Sequence, residues 1–236
     1  MNDTQLQLLT PGDDVDAVGE VFRSVWGTPH PLIPRSFLVA IVHSGGYVVV
    51  ATDRSGRPVA TSVGILGTDD RGQSTLHSHI TGVVPERRGS GLGFTIKQHQ
   101  RRWASERDLT AITWTFDPLV RANAWFNIAR LGAEVVAYRR NFYGEMTDDI
   151  NRGDESDRLI VRWNVNSTSR ESQTSRHSTT TLVSTPEDIV ALRRSDPGAV
   201  ARWRHRHRTD LETPLNSGAS VIDFTPAGEY VLHSGS

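Results

Sequence analysis

The chain has no cysteine, which excludes disulfides, thiolate nucleophiles and zinc sites built on sulfur. Lysine is almost absent too: of 26 basic residues only Lys97 is a lysine, and the rest are arginine. Against that background a single arginine cluster says little. No stretch approaches the ~20 apolar residues that would cross a bilayer, and a formal net charge of −1 sets up no overall field for nucleic acid or an acidic membrane. The opening MNDTQLQLL lacks the basic-then-apolar pattern of a secretory signal, so a cytoplasmic location is expected. No internal repeat is visible.

What remains is a globular composition, 36% hydrophobic and 22% charged over 236 residues, enough for one large domain or an ordinary one with an extension. Residues 1–163 alternate strand and helix patterns. LQLLT (6–10) reads as a strand, and Thr10 with Pro11 and Asp13 as a helix start. Val15, Val18, Phe22 and Val25 then share one helical face. A short helix is expected near 35–43, and strands at 47–52, 58–66 and 74–84 form a meander around the DRSGR turn. Leu92, Ile96, His99 and Trp103 space as a helix face. TAITWTF (110–116) is a strand, Asp117-Pro118 opens a helix to about Leu131, and AEVVAY and DRLIVRWNV close the series. From Asn164 the texture turns polar: NSTSRESQTSRHSTTT reads as a linker over 164–180. Residues 181–236 then form an extension packed on the core. It holds two helices, each opened by a capping residue and a proline, and the hairpin ASVIDFTPAGEYVL.

TGVVPERRGSGLG (81–93) ends a strand in a basic turn with glycines at alternate positions. A glycine-rich turn between strand and helix suits a phosphate, because exposed N–H groups and the positive helix end converge on the anion. The spacing fails the P-loop, since Phe-Thr follows Gly93, and it fails the dinucleotide fingerprint, since the run is G-x-G-x-G after a late strand. It fits R-x-x-G-x-G, from Arg88 through Gly91 to Gly93, preceded by Val83-Val84-Pro85-Glu86. Residues 85–107 carry six basic residues against two acidic ones.

This motif resembles the acyl-CoA-binding turn of the GNAT superfamily of N-acyltransferases, and the likeness in element order spans about residues 5–163. The segment NAWFNIARLGAE (123–134) is similar to the family's second cofactor segment. The resemblance implies an α/β fold around a mixed, mostly antiparallel sheet flanked by helices, here with a C-terminal α/β extension. It implies acetyl-CoA, or another acyl-CoA, as cosubstrate and no metal. Val83, Val84, Arg88, Gly89, Ser90, Gly91, Leu92, Gly93, Asn123 and Phe126 would bind the coenzyme. The N–H groups of residues 88–93 would cradle the pyrophosphate, and a bulge at Gly82 would open the sheet for the pantetheine arm. The implied reaction is direct attack of an amine, on a small molecule or a peptide, upon the thioester in a ternary complex. The Val84 N–H would donate to the oxyanion. The family often places a tyrosine where this chain has Ile128, which leaves Tyr143 in NFYGE as a candidate acid, or a thiolate that leaves unaided.

For the base, His77 and His79 lie two apart on a strand and by alternation share a face with Thr81 and Val83. His79 is the stronger candidate, a histidine being poised near neutral pH. The same pair reads equally as hydrogen-bonded residues lining the sheet, and without a third ligand it makes no metal site. Asp117 caps a helix or faces the acceptor, and Glu86 ends the strand motif. Trp114, Trp125 and Phe126 line an acyl pocket or the core. Asp157-Arg158 reads as an ion pair or cap. RWRHRHR (202–208) invites a nucleic-acid reading, yet on a helix Val200, Trp203, His207 and Leu211 form the apolar face. Arg202, Arg204, Arg206 and Arg208 then fall on solvated sides, with Glu212 four residues from Arg208. No nucleic-acid or membrane partner is therefore expected, and a homodimer is open. The competing functional reading keeps the fold without chemistry, as an acyl-CoA-sensing module.

Overall fold

The computed structural model describes residues 4–28, 30–146, 148–166 and 179–234. Strands β1 (Thr4–Leu8), β2 (Tyr47–Asp53), β3 (Pro58–Thr68), β4 (Ser74–Val83), β5 (Ala111–Phe116), β6 (Glu134–Arg139) and β7 (Arg158–Asn164) form one mixed, mostly antiparallel sheet. Its order is β1-β2-β3-β4-β5-β7-β6. A second sheet, in the order β8-β10-β9, joins β8 (Thr179–Ser184), β9 (Ser220–Phe224) and β10 (Glu229–Ser234). The chain divides into two compact units, Met1–Thr113 and Trp114–Ser236.

In the first unit β1 to β4 run as an antiparallel meander. Helices α1 (Asp16–Trp26) and α2 (Arg35–His43) cover it. Val15, Val18 and Phe22 bury the α1 face expected from their spacing, against Leu38, Ile41, Val48 and Val50. The helix starts later than Pro11, because the Asp13 carboxylate accepts both the Thr10 N–H (2.7 Å) and the Thr10 hydroxyl (2.9 Å). That exchange closes a tight turn ahead of the helix. Helix α3 (Leu92–Ser105) buries Leu92, Ile96 and Trp103, and Trp103 packs edge-on against Tyr47 at 5.3 Å. His99 is only half-buried and meets the Tyr47 hydroxyl at 2.8 Å.

In the second unit α4 (Arg121–Ala124) widens into a π-helical turn over Trp125–Arg130. Gly132 (φ 72°) ends it in the left-handed conformation that glycine adopts without strain. Helices α5 (Ile189–Ser195) and α6 (Pro197–His207) are each capped by an aspartate. Asp188 accepts the Ala191 N–H at 2.9 Å and Asp196 the Ala199 N–H at 2.8 Å. A π-helical turn, Arg208–Glu212, and α7 (Thr213–Asn216) follow. The cap of α5 is thus Asp188 and not the residue before the proline, Thr185, which is buried and donates its hydroxyl to Gly228 O. Leu119, Ile189 and Val200 form one hydrophobic cluster of this unit. Of the polar stretch 164–180, residues 167–178 lie outside the described residues, and β8 begins at Thr179.

Candidate functional site

The turn after β4 folds tightly. A single 3₁₀ turn, Pro85–Arg87, brings the chain into two left-handed glycines, Gly89 (φ 76°) and Gly91 (φ 83°). Gly91 sits at the N-cap of α3 and offers no side chain to the helix end. The first-turn N–H groups at Leu92 and Gly93 therefore point out of the helix terminus. Gly93 lies close to Val83, whose Cγ2 would be 3.9 Å from an added Cβ. The expected cradle is narrower than residues 88–93, since the Arg88 N–H donates to Pro85 O (3.2 Å) and the Ser90 N–H to Arg87 O (3.4 Å). Arg88, Gly89, Ser90 and Gly91 are exposed. Glu86 is exposed as well, 3.6 Å from Arg57.

The register of β4 corrects three expectations. Val63 pairs with Ile80 and Gly64 with Ser78, so His79 is the extra residue of a bulge. Gly82 pairs in unbroken register with Thr61. Its missing Cβ serves packing instead: an added carbon would lie 2.7 Å from the Trp26 ring. Because the bulge shifts the alternation by one, Thr81 leaves the face of the histidines. Its hydroxyl meets Ser62 Oγ at 2.8 Å on the α3 side, and Ile80 packs with the α1–α2 core. The third correction concerns the oxyanion donor. The Val84 N–H is donated to Val59 O at 3.0 Å and Val84 is buried, so it is not available. Ladder alternation instead turns the Val83 N–H to the edge of β4 away from β3. The parallel ladder to β5 runs over Thr75–His77 against Ala111–Thr113.

His77 and His79 remain neighbours, their ring centroids 6.1 Å apart. His77 is half-buried, with Nδ1 3.3 Å from Thr113 Oγ1. Burial pushes its imidazole below the ordinary value, and the charges of His79 and Lys97 add to this. His79 presents more than a third of its surface to solvent, yet the surrounding protein still lowers its pKa by desolvation. Both rings are therefore neutral at pH 7, the form that accepts a proton.

The lone lysine, not among the expected functional residues, lies beside β4. Lys97 is buried in α3 and donates to Ser78 Oγ (2.8 Å) and Gln100 Oε1 (3.3 Å). Gln100 in turn donates to Ser62 Oγ at 3.4 Å, which reaches Thr81. Burial pushes the ammonium down to about 7. A lysine at an otherwise apolar helical spacing, in a chain with no other, was the available signal.

In the second unit Asn123 is exposed and Phe126 half-buried. The buried asparagine is Asn127, which accepts the Trp114 indole N–H at 3.1 Å. Trp114 is core and Trp125 is exposed, while Ile128 is fully buried. Of the four tyrosines three are buried, and their hydroxyls bond His99, Asp157 and the Pro118 carbonyl. Tyr143 is exposed, its hydroxyl 3.0 Å from Thr115 Oγ1.

Asp117 both caps and pairs. It accepts the Leu119 N–H (2.9 Å) and is gripped by Arg204 (2.8 Å) and Arg193. Both arginines also bind Asp154. Arg204 is thus buried rather than solvated, 2% exposed. Glu212 pairs with Arg140 at 2.7 Å instead of Arg208. Arg208 bonds Asp157 (2.8 Å) and Glu155 (2.9 Å). The Asp157 carboxylate bonds Tyr138 and Arg208, while Arg158 donates to the Asp157 carbonyl. Arg202 and Arg206 are exposed as expected.

No protein-family model matches the chain, and no curated protein matches it. Solved structures do. The ribosomal-protein-S18-alanine N-acetyltransferase from Escherichia coli aligns at 17% identity with a TM-score of 0.52, over 73% of this chain and 99% of that one. Arabidopsis thaliana Naa50, solved with a bisubstrate analogue, aligns at 15% identity and TM-score 0.53, over 68% and 97%. A GNAT family acetyltransferase from Elizabethkingia anophelis with acetyl-CoA bound gives 10%, 0.51, 70% and 99%. At such identities the likeness defines the architecture: the chain has the GNAT acetyltransferase fold. Among the described residues no helix is long and apolar enough to cross a membrane.

Proposed function

We propose that the chain is an acyl-CoA-dependent N-acyltransferase that moves an acyl group, acetyl in the first instance, from coenzyme A to an amine. The observation that carries this reading is the turn at 85–93. Two left-handed glycines and an uncapped helix start leave N–H groups directed outward beside exposed Arg88, the arrangement that binds a diphosphate. The fold supports it, and the solved neighbours include proteins holding acetyl-CoA or a bisubstrate analogue. Val83, Arg88, Gly89, Ser90, Gly91, Leu92 and Gly93 would contact the coenzyme.

The reaction needs a proton acceptor for the amine, a donor to the developing oxyanion and a route for the thiolate. Neutral His79 on its bulge takes the amine proton. The Val83 N–H replaces Val84 as oxyanion donor. Tyr143, the exposed phenol, protonates the departing thiolate, a step its good leaving group makes the most dispensable. Titration calorimetry with acetyl-CoA tests the reading: micromolar affinity is expected, lost in Gly91→Val because a β-branched residue resists φ near 83°. Absence of binding to any CoA species would sink it. His79→Ala should cut turnover by about 10²–10⁴-fold while leaving coenzyme affinity intact.

A further inference from the structure

Arg158 presents an unfinished electrostatic arrangement in the second unit. Its side chain is 7% exposed, yet its closest carboxylate among the described residues is Asp117 Oδ2, 4.0 Å from Nη1. That aspartate is already held by Arg193 and Arg204. Nη1 donates to the Asp157 carbonyl at 2.8 Å, and among the described residues Nη2 meets the Met146 sulfur at 3.0 Å, a weak acceptor. Among the described residues Asp117 and Asp154 both pair with Arg193 and Arg204, and Arg158 approaches only the first of these carboxylates. Burial works against the Arg158 charge, and Asp117 offsets this only in part.

The loop over Arg158 is built from residues 141–146. Ser156 holds it, accepting the Phe142 N–H through its carbonyl (3.0 Å) and the Tyr143 N–H through its hydroxyl (2.9 Å). The Tyr143 ring lies 5.4 Å from the Arg158 guanidinium carbon, edge-on to Phe142. Both rings are more than a third exposed, at 39% and 43%. A buried cation short of one counter-ion thus lies beneath an aromatic pair open to solvent.

We infer that Arg158 and the Phe142–Tyr143 loop form a binding site for a small organic carboxylate with an apolar or aromatic body. The carboxylate supplies the missing charge and accepts the Nη donors in bidentate geometry, and the rings cover the body. Assigning that carboxylate to the amine acceptor rests on the acyltransferase reading, and it makes the acceptor an amino acid or a peptide with a free carboxylate.

Binding is read without coenzyme, so the two readings fail separately. Melting curves of the full chain are recorded with benzoate and with benzamide, its neutral match. Benzoate is expected to raise the melting temperature saturably and benzamide to leave it unchanged. Arg158→Gln should weaken the benzoate response about tenfold or more, the worth of a charge-assisted hydrogen bond. Tyr143→Glu changes an exposed residue and tethers a carboxylate above the arginine, so it should abolish the response even if Arg158→Gln does not fold. Equal responses to the acid and the amide, or a wild-type benzoate response in Tyr143→Glu, would overturn the site. With acetyl-CoA added, phenylalanine should then be acylated faster than phenylalaninamide. Preference for the amide would remove the acceptor assignment while leaving the carboxylate site standing.

Discussion

The two units bury polar groups by opposite means. In the first, one lysine donates to a hydroxyl and an amide, those of Ser78 and Gln100, and burial pushes it down to about 7. In the second, Arg193 and Arg204 clasp Asp117 and Asp154 at similar depth. Burial alone would raise the Asp117 carboxyl, but the charge and hydrogen bonds of Arg204, then Arg193, hold it well below the carboxylate range. Desolvation acts on both: it pushes the ammonium toward losing its charge, whereas the guanidiniums around the carboxylate outweigh it and the charge is kept. Depth does not decide between these outcomes; the neighbours do.

Removing a partner from the charged cluster should have the largest consequence. Asp117→Ala leaves Arg193 and Arg204 short of a counter-ion and is expected to cost about 3–5 kcal/mol of unfolding free energy, measured by urea titration at pH 7. Asp117 gains its low pKa on folding, so its contribution is present above about pH 4 and is lost as the pH falls through that lowered value. A variant as stable as the parent would mean that the cluster holds its charges by solvation rather than by pairing.

The lysine should respond in the opposite pH direction. Its folded pKa of about 7 lies below the unfolded ammonium's, so between roughly pH 7 and 10 the unfolded chain binds more protons. Stability attributable to Lys97 therefore rises with pH, by at most about 1.4 kcal/mol per unit. Urea unfolding at pH 7 and pH 9 should show this rise in the parent and a flatter response in Lys97→Met. Parallel pH curves for the two proteins would show that the ammonium stays charged in the fold.

The exposed pair Arg206–Asp210, at 3.0 Å along one helical turn, sharpens the contrast at its weak end. Arg206→Ala should change stability by only about 0.3–0.5 kcal/mol, and 1 M salt should erase even that. A larger effect would count against solvation as the discriminating variable.

Much of the molecule was legible because it depends on neighbours in sequence. The buried face of α1, the apolar face of α3 and the aspartate cap of α6 follow from spacing and from a capping residue before proline. The glycine turn was legible as well, since alternate left-handed residues admit little besides glycine. Reading failed where a residue's role lies with distant partners. Arg204 looks solvated on a helical wheel, and only Asp117, 87 residues away, makes it a core residue. Glu212 found Arg140, 72 residues away, in place of its helical neighbour. The bulge fell at His79 rather than at Gly82 because ladder register is settled by β3, and Gly82 answers to Trp26.

By itself the sequence determined the strand and helix pattern, the lack of cysteine and the glycine turn, since these rest on local periodicity, composition and backbone freedom. Tertiary structure alone decided which edge the N–H of each β4 residue faces, that Lys97 is buried, and that Arg158 shares Asp117 with two other guanidiniums. Those properties are sums over groups brought together from far along the chain, and electrostatic energy depends on their distances and hydration, which no short window of residues contains.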